Sequence, residues 1–199
     1  MGPVRGRLIG AVLLALTAPV SASSLDLSPV LIEVVARANG ATSLTLRNRA
    51  AAPARLQVRV FRWRQANGSD VLEPANDVAA SPPFVTVAPG APYVVRVVRT
   101  SVRPVAAEES YRLLIDELPE PGRSDGNVQF AMRHSLPVFF RAPEVGGADV
   151  AWTATRNGSE VRLTAVNRGD RRLRISNLRL VGSDGPPLPF GTGLAGYAL

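Results

Sequence analysis

Residues that could carry out chemistry are scarce in this sequence. It contains no cysteine and no lysine, and its only histidine is His134. A thiolate nucleophile, a Schiff-base lysine and a cluster of histidine metal ligands are therefore excluded. His134 lies in a strand-like run, and no serine has the sequence context of a nucleophile elbow, so we do not expect a catalytic triad.

The acidic residues also lack the arrangement of a catalytic pair. Asp116 and Glu117 are neighbours in a predicted strand, so their side chains point to opposite faces and cannot act together on one bond. The segment 191–196 reads Gly-Thr-Gly-Leu-Ala-Gly and matches a dinucleotide-binding pattern, but no βαβ unit surrounds it. We therefore predict that the protein is not an enzyme and uses no metal or other cofactor.

The charge of the protein does not indicate a nucleic-acid partner. The formal net charge is +7, and all 23 basic residues are arginine. These arginines are spread along the chain, whereas a nucleic-acid site gathers basic residues on one face with aromatic residues among them. The densest group, within 168–174, lies at a turn between two strand-like runs, where solvated charge is ordinary. We predict no binding to nucleic acid.

The first 22 residues have the pattern of a secretory signal peptide. Arg5 and Arg7 precede an apolar run at 8–16. The sequence Val-Ser-Ala at 20–22 fits a cleavage site. The alternative is a membrane anchor, but the apolar run has about half of the ~20 residues that a spanning helix needs. We predict cleavage after Ala22, export to the periplasm and no membrane insertion of the mature chain.

Short runs of alternating apolar and polar residues predict an all-β fold. Helical periodicity is nearly absent, and turn sequences such as Asn39-Gly40, Asn67-Gly68 and Pro89-Gly90 separate the runs. In 56–60 the apolar side chains are two residues apart, as in a strand with one buried face. The runs predicted as strands are 25–35, 42–48, 55–64, 84–87, 92–100, 109–118 and 127–141.

Seven short strands in about 120 residues match one immunoglobulin-like sandwich, which we place at 23–142. The pair Gly146-Gly147 marks a boundary, and further strand-like runs follow at 150–155, 161–167 and 173–181. The region 145–199 is about half the ~100 residues of such a sandwich. We therefore predict a partial second immunoglobulin-like domain, with no closing strand in its last residues.

The run 127–141 is the most informative part of the sequence. Every even position from Val128 to Phe140 is apolar except His134. An exposed strand of this kind presents unpaired N–H and C=O groups to which another strand can add. The alternative is that its apolar side chains point into the protein's own core.

Three segments carry a resemblance to a known family. They are Val-Ala-Pro-Gly at 87–90 leading into Val-Arg-Val at 95–97, Tyr-Arg-Leu-Leu-Ile-Asp-Glu-Leu-Pro at 111–119, and Leu-Pro-Val-Phe-Phe-Arg at 136–141. In order and spacing they resemble the periplasmic pilus-assembly chaperones of the P-pilus chaperone superfamily, and most closely its archaic or spore-coat-protein-like branch. The resemblance covers most of 25–141 and is thinner in the second region.

This resemblance implies two immunoglobulin-like domains set at an angle, with a pilus subunit held in the cleft and along the seventh strand. The chaperone would lend that strand to the subunit and pass the subunit to an outer-membrane usher. Counted back from Arg141, the family's alternating donor residues fall on Val128, Phe130 and Met132, which we call the donor row. Because the second region is short, we also expect an incomplete chaperone.

The sequence departs from the family at one binding position. The better-known branch binds the subunit's terminal carboxylate through an arginine on the first strand and a lysine on the seventh. The matching residues here are Val30 and Pro137, which carry no charge. Guanidinium groups bind carboxylates bidentately, so we predict an anchor among Arg96, Arg99 and Arg133, in that order. The alternative for each is a solvated or internally paired arginine.

A second interpretation is a secreted adhesion or carbohydrate-binding sandwich. Its site would lie in end loops that are rich in aromatic residues. Trp63 and Trp152 both lie in or beside strand-like runs, which argues against such a site.

Overall fold

The computed structural model describes residues 25–119, 131–182, 185–189 and 194–199. All regular elements in these ranges are β-strands, which confirms the predicted fold class. No helix of the described chain is long and apolar enough to cross a membrane. The predicted signal peptide and the donor-row residues Val128 and Phe130 lie outside the described residues.

The strands fall into two groups along the chain. The first group is β1 (Leu25–Ser28), β2 (Ile32–Val35), β3 (Gly40–Asn48), β4 (Ala54–Ala66), β5 (Ser69–Pro74), β6 (Val78–Ser81), β7 (Phe84–Val87), β8 (Pro92–Arg99), β9 (Glu109–Glu117) and β10 (Arg133–Arg141). The second group is β11 (Val150–Asn157), β12 (Glu160–Asn167), β13 (Leu173–Ser176), β14 (Arg179–Leu180), β15 (Leu188–Pro189) and β16 (Leu194–Ala198).

The first group forms a sandwich of two sheets. One sheet has the order β1-β3-β8-β6 and the other the order β2-β10-β9-β4-β5, with β7 also paired to β4. The pairs are antiparallel except for β2, which runs parallel to β10. Alternate residues of the central strands point between the sheets and are fully buried, as the two-residue period of a strand requires. Examples are Leu44 and Leu46, Val95 and Val97, and Leu113 and Ile115.

Two features of this sandwich differ from the strands predicted from the sequence. The run 25–35 is divided between the sheets, with β1 in one and β2 in the other, because Pro29 has no N–H for a ladder at the crossing point. β5 and β6 were not predicted, since their small and charged residues lack a clear alternation. β5 nevertheless follows β4 through a tight turn in which Asn67 and Gly68 both have positive φ, 53° and 74°.

The second group forms only two-stranded sheets among its described residues, namely β11–β12, β13–β16 and β14–β15. The expectation that the last residues contain no strand was wrong. β16 pairs antiparallel with β13, and its Tyr197 packs on the aromatic rings of Trp63 and Phe139 in the first sandwich. The sequence of β16 has little alternation, so its conformation depends on these distant contacts.

Arg99 holds the end of the first sandwich together. Only 2% of its side chain is exposed, and its guanidinium donates two hydrogen bonds to the Glu109 carboxylate, at 2.7 and 2.8 Å. A further nitrogen donates to the carbonyl oxygens of Ala38, Ser101 and Arg103. The residue therefore links the end of β8, the start of β9 and the loop between them.

We predict that Arg99→Gln destabilises the protein by about 3 kcal/mol, because removing one partner of a buried ion pair leaves the other uncompensated. Urea unfolding measures this change. Arg96→Gln is the matched control, since Arg96 is exposed on the same strand and should change the stability by less than about 0.5 kcal/mol. Equal losses for the two variants would contradict the structural role of Arg99.

We also predict that amide hydrogens of the β11–β12 hairpin exchange much faster than those of β8 and β9. Nearly every residue of the hairpin is exposed, including Trp152 at 47% and Val166 at 48%, whereas β8 and β9 contain fully buried residues. Local opening is easiest where few apolar contacts must be broken. Equal protection of 150–167 and 109–117 would show that the second region is as stable as the first sandwich.

Candidate functional site

β10 has a free edge along its first half. β9 pairs with Arg133 through Phe140 on one side, whereas β2 pairs only with Val138–Arg141 on the other. No other strand of the described chain lies beside 133–137 on that second side, which we call the free edge. Unpaired backbone groups at such an edge are available to another strand.

The hydrogen-bond pattern shows which backbone groups face this edge. The N–H of Glu117 donates to the carbonyl of Met132 at 2.9 Å, so Met132 and Glu117 form a hydrogen-bonded pair of the antiparallel ladder. Because such pairs alternate, the even residues of β10 bond to β9. The N–H groups of Arg133 and Ser135 consequently point to the free edge, whereas Pro137 has no N–H to donate there.

The even-numbered side chains of 127–141 do not all have the same surroundings. Leu136, Val138 and Phe140 are buried in the sandwich core, so the alternative of self-burial holds for this half of the run. Met132 lies on the same side of the strand and is 44% exposed. Within the described residues, Met132 is thus the member of this apolar row that lies outside the protein's own core.

His134 separates the buried and exposed parts of this row. Its Nε2 lies 3.8 Å from a carboxylate oxygen of Glu117, and 23% of its side chain is exposed. No group of three or more histidine, aspartate and glutamate side chains in the described ranges is placed to hold a metal ion.

Arg133, the third predicted anchor, lies at the free edge and makes an ion pair with Asp116. The other oxygen of Asp116 accepts a hydrogen bond from Arg59 at 2.5 Å. Burial of the Asp116 carboxylate raises its pKa, but the hydrogen bonds from Arg133 and Arg59 outweigh this effect and hold the pKa below its usual range. Asp116 therefore stabilises the fold at neutral pH, and this contribution is lost as the pH falls through the lowered pKa.

The other two predicted anchors, Arg96 and Arg99, lie on β8 in the other sheet and not at the free edge. Arg96 is exposed on the outer face of the β1-β3-β8-β6 sheet, between Ser43 and Ser81 of the neighbouring strands. Arg99 is buried, and its donors are occupied by the contacts described above. The structure does not bring Arg96, Arg99 and Arg133 together.

A cleft of about 620 Å³ lies beside the free edge, where the sequence analysis placed the uncharged pair Val30 and Pro137. Its lining includes two arginines that the sequence analysis did not select, Arg112 and Arg174, and the ring of Tyr197. We use "the cleft" for this cavity. One available signal was that Arg112 is the sole basic residue of the otherwise apolar β9 segment 111–115.

The two arginines of the cleft differ in how they are held. The guanidinium of Arg112 stacks 3.7 Å from the ring centroid of Trp63, with Asp70 at 3.4 Å, and 18% of its side chain is exposed. Arg174 on β13 is exposed, and its guanidinium has no hydrogen-bond or ion-pair partner within the described part of the chain. One guanidinium is thus preorganised by stacking, and the other is available to a ligand.

The side chains of Arg172 and Tyr197 are among the contacts that attach the opposite wall of the cleft to the first sandwich. Arg172 stacks 3.6 Å from the ring centroid of Phe139 and donates to Glu108 at 2.5 Å. Tyr197 packs at 5.7 Å from both Trp63 and Phe139. These contacts place β13 and β16 next to β10 and so form the cleft.

The fold is similar to that of solved pilus chaperones. A chain of the crystal structure of the CsuC–CsuE chaperone–tip adhesion subunit pre-assembly complex, from archaic chaperone-usher Csu pili of Acinetobacter baumannii, matches with a TM-score of 0.69 and 24% identity, covering 89% of this chain and 83% of that one. The E. coli chaperone DraB matches with a TM-score of 0.57 and 22% identity, covering 89% and 87%. The Pseudomonas aeruginosa chaperone CupB2 matches with a TM-score of 0.59 and 19% identity, covering 85% and 81%. At these identities the likeness shows a common fold of two immunoglobulin-like domains.

The sequence itself also matches a family. No curated protein sequence is similar enough to match it. Residues 24–145, however, match the family model described as pili and flagellar-assembly chaperone, PapD N-terminal domain. The resemblance inferred from three segments is thereby confirmed. Since the match spans more than half of its residues, this chain belongs to the family of pilus and flagellar-assembly chaperones with a PapD-type N-terminal domain.

Proposed function

We propose that this protein captures a fimbrial subunit by β-strand addition at the free edge and delivers it to an outer-membrane usher. One observation carries the proposal: among the described residues the edge at 133–137 is unpaired, and Met132 directly before it is exposed although later members of the same alternating row are buried. Membership of a chaperone family supports it. So does the similar A. baumannii structure, which is a complex of a chaperone with a tip adhesion subunit.

In this proposal the subunit's strand adds to the N–H and C=O groups of Arg133 and Ser135. Val128, Phe130 and Met132 then fill an apolar groove of the subunit, and burial of each contributes roughly 1.5–3 kcal/mol before costs. The chaperone uses no nucleotide and catalyses no reaction. Transfer is driven by the subunit completing its fold better in the fibre than on the chaperone.

The proposed place of action is the periplasm, after removal of residues 1–22. Subunits that lack a strand expose an apolar groove and would aggregate there. A chaperone that covers the groove until the usher is reached keeps them soluble.

We assign the subunit's terminal carboxylate to Arg112 and Arg174. Both line the cleft, which begins at Pro137 where the free edge ends, so a subunit strand along that edge would run into it. Among the arginines predicted from sequence, Arg99 is occupied internally, Arg96 is on another face, and Arg133 is paired with Asp116. Stacking on Trp63 holds Arg112 in place, which lowers the ordering cost of binding.

The donor row tests the function directly. Replacing Val128, Phe130 and Met132 together by Ser should abolish capture of a fimbrial subunit from periplasmic extract, because the apolar burial is lost, while the chaperone stays folded. Capture is measured by affinity pull-down with mass spectrometry of the bound protein. The control replaces Val94 and Val102 by Ser, which are 55% and 79% exposed elsewhere on the first sandwich. Wild-type yield of subunit with the triple variant would rule out the donor row.

The cleft is tested by removing charge. Arg112→Gln and Arg174→Gln, made separately, should each weaken subunit binding about ten- to a hundredfold, since one charge-assisted contact with a carboxylate is worth roughly 1.5–3 kcal/mol. Titration of the purified subunit that the pull-down identifies measures the dissociation constant. Arg96→Gln and Arg171→Gln should leave it nearly unchanged. Equal small losses for all four arginines would indicate diffuse electrostatics instead of an anchor.

A further inference from the structure

We infer that Asp116 is a positioning residue for strand addition. Through its ion pair with Arg133, Asp116 aligns the start of β10, directly after the donor-row residue Met132. The inference rests on the proposed function, because it concerns the same free edge. It gives a role to a buried carboxylate that the binding proposal does not itself use.

Asp116 is the central member of a cluster that joins three strands. Its side chain is 12% exposed, and its two oxygens contact Arg133 on β10 and Arg59 on β4. Asp116 lies directly opposite Arg133 in the β9–β10 register. A buried carboxylate is stable only when charged donors satisfy it, so Asp116 favours a paired position for Arg133, whose side chain is otherwise 61% exposed.

The position of this cluster in β10 is its important feature. Among the described residues, the last hydrogen bond of the ladder between β9 and β10 joins Glu117 to Met132, one residue before Arg133. From Arg133 to Pro137 the strand is held by β9 alone, because β2 begins to pair only at Val138. The ion pair therefore lies where β10 has backbone hydrogen bonds on one side only, directly after Met132, the last residue of the donor row.

A strand held on one side separates easily from its sheet at its end. If β10 separated from β9 at Arg133, residues 133–137 would no longer form an extended edge. Met132 would then no longer have a fixed orientation relative to that edge. Ordering that edge would then be a cost of binding, which a preorganised edge avoids. Asp116 keeps the edge ordered before the subunit arrives.

The ion pair of Arg64 and Glu73 provides a matched comparison. It also joins neighbouring strands of the same sheet, but it lies between β4 and β5, and its side chains are 51% and 48% exposed. Each carboxylate can be neutralised without change of size, by Asp116→Asn and by Glu73→Gln. Comparing the two variants distinguishes an effect of this particular ion pair, at the start of β10, from the general effect of losing an ion pair between neighbouring strands.

The first measurement uses the free chain and needs no subunit. In Asp116→Asn the amides of His134 and Leu136, which face β9, should exchange about tenfold faster than in the wild type, while amides of β8 keep their protection. Glu73→Gln should leave His134 and Leu136 unchanged. An unchanged rate in Asp116→Asn, or equal acceleration in β4, β8 and β10, would overturn the inference.

Arg133→Gln provides a variant that does not threaten folding, since Asp116 keeps its contact with Arg59. It should accelerate the same two amides, and adding it to Asp116→Asn should change little, because Asp116→Asn already breaks the pair with Arg133. Full additivity of the two changes would show that Asp116 does not act through Arg133.

The second measurement is subunit binding. Asp116→Asn should weaken capture of the subunit identified by pull-down about tenfold, and Glu73→Gln should not. Local acceleration of exchange without weaker capture would show that the pair orders the strand but does not position it for binding. If the wild-type chain captures no fimbrial subunit, the proposed function fails, whereas the exchange result still decides whether Asp116 orders the root of β10.

Discussion

The structure depends on the fact that β10 is paired along its length on one side but over only part of its length on the other. Backbone N–H and C=O groups must be hydrogen-bonded or solvated, and β10 satisfies them with β9 along its length but with β2 only from Val138 onward. A free edge is ordinarily an aggregation hazard, which proteins avoid with charges, prolines and short strands. This protein has a charge at Arg133 and a proline at Pro137 on the edge, yet the N–H groups of Arg133 and Ser135 still face it. An edge that is ordered but unpaired is the form that strand addition requires.

Arginine has two kinds of role around this edge. Arg99 and Arg172 are nearly buried, and each makes an ion pair. Arg99 holds a loop of the first sandwich, whereas Arg172 also stacks on Phe139 and holds the second region against that sandwich. Arg112 and Arg174 instead have faces directed to the cleft. A planar guanidinium can stack on an aromatic ring and still donate in its plane, which an ammonium cannot do as well. A protein without lysine therefore uses one residue type both for internal support and for the proposed recognition of a carboxylate.

The sequence by itself determined the class of fold and the region of the site. Alternation and turn residues identified most strands of the first sandwich, because the two-residue period of a strand is a local property. The same local signal singled out 127–141, and three short segments within 87–141 carried the family resemblance that the match to 24–145 confirms. The donor row Val128, Phe130 and Met132 remains a prediction, since two of its members lie outside the described residues.

Only the tertiary structure decided what covers each face and which charges meet. Alternation places Met132 and Leu136 on one side of β10, but it cannot show that one is 44% exposed and the other 3%, because the end of the core depends on other strands. Side-chain contacts are equally non-local: Asp116 binds Arg59 from 57 residues away, and Tyr197 of the second region packs on Trp63 of the first sandwich. Arg99 was therefore selected from sequence as an anchor candidate although it is buried, whereas Arg112 and Arg174, which line the cleft, were not selected. Local sequence specifies the period of a strand, whereas contacts between distant segments determine which of its side chains remain free to bind.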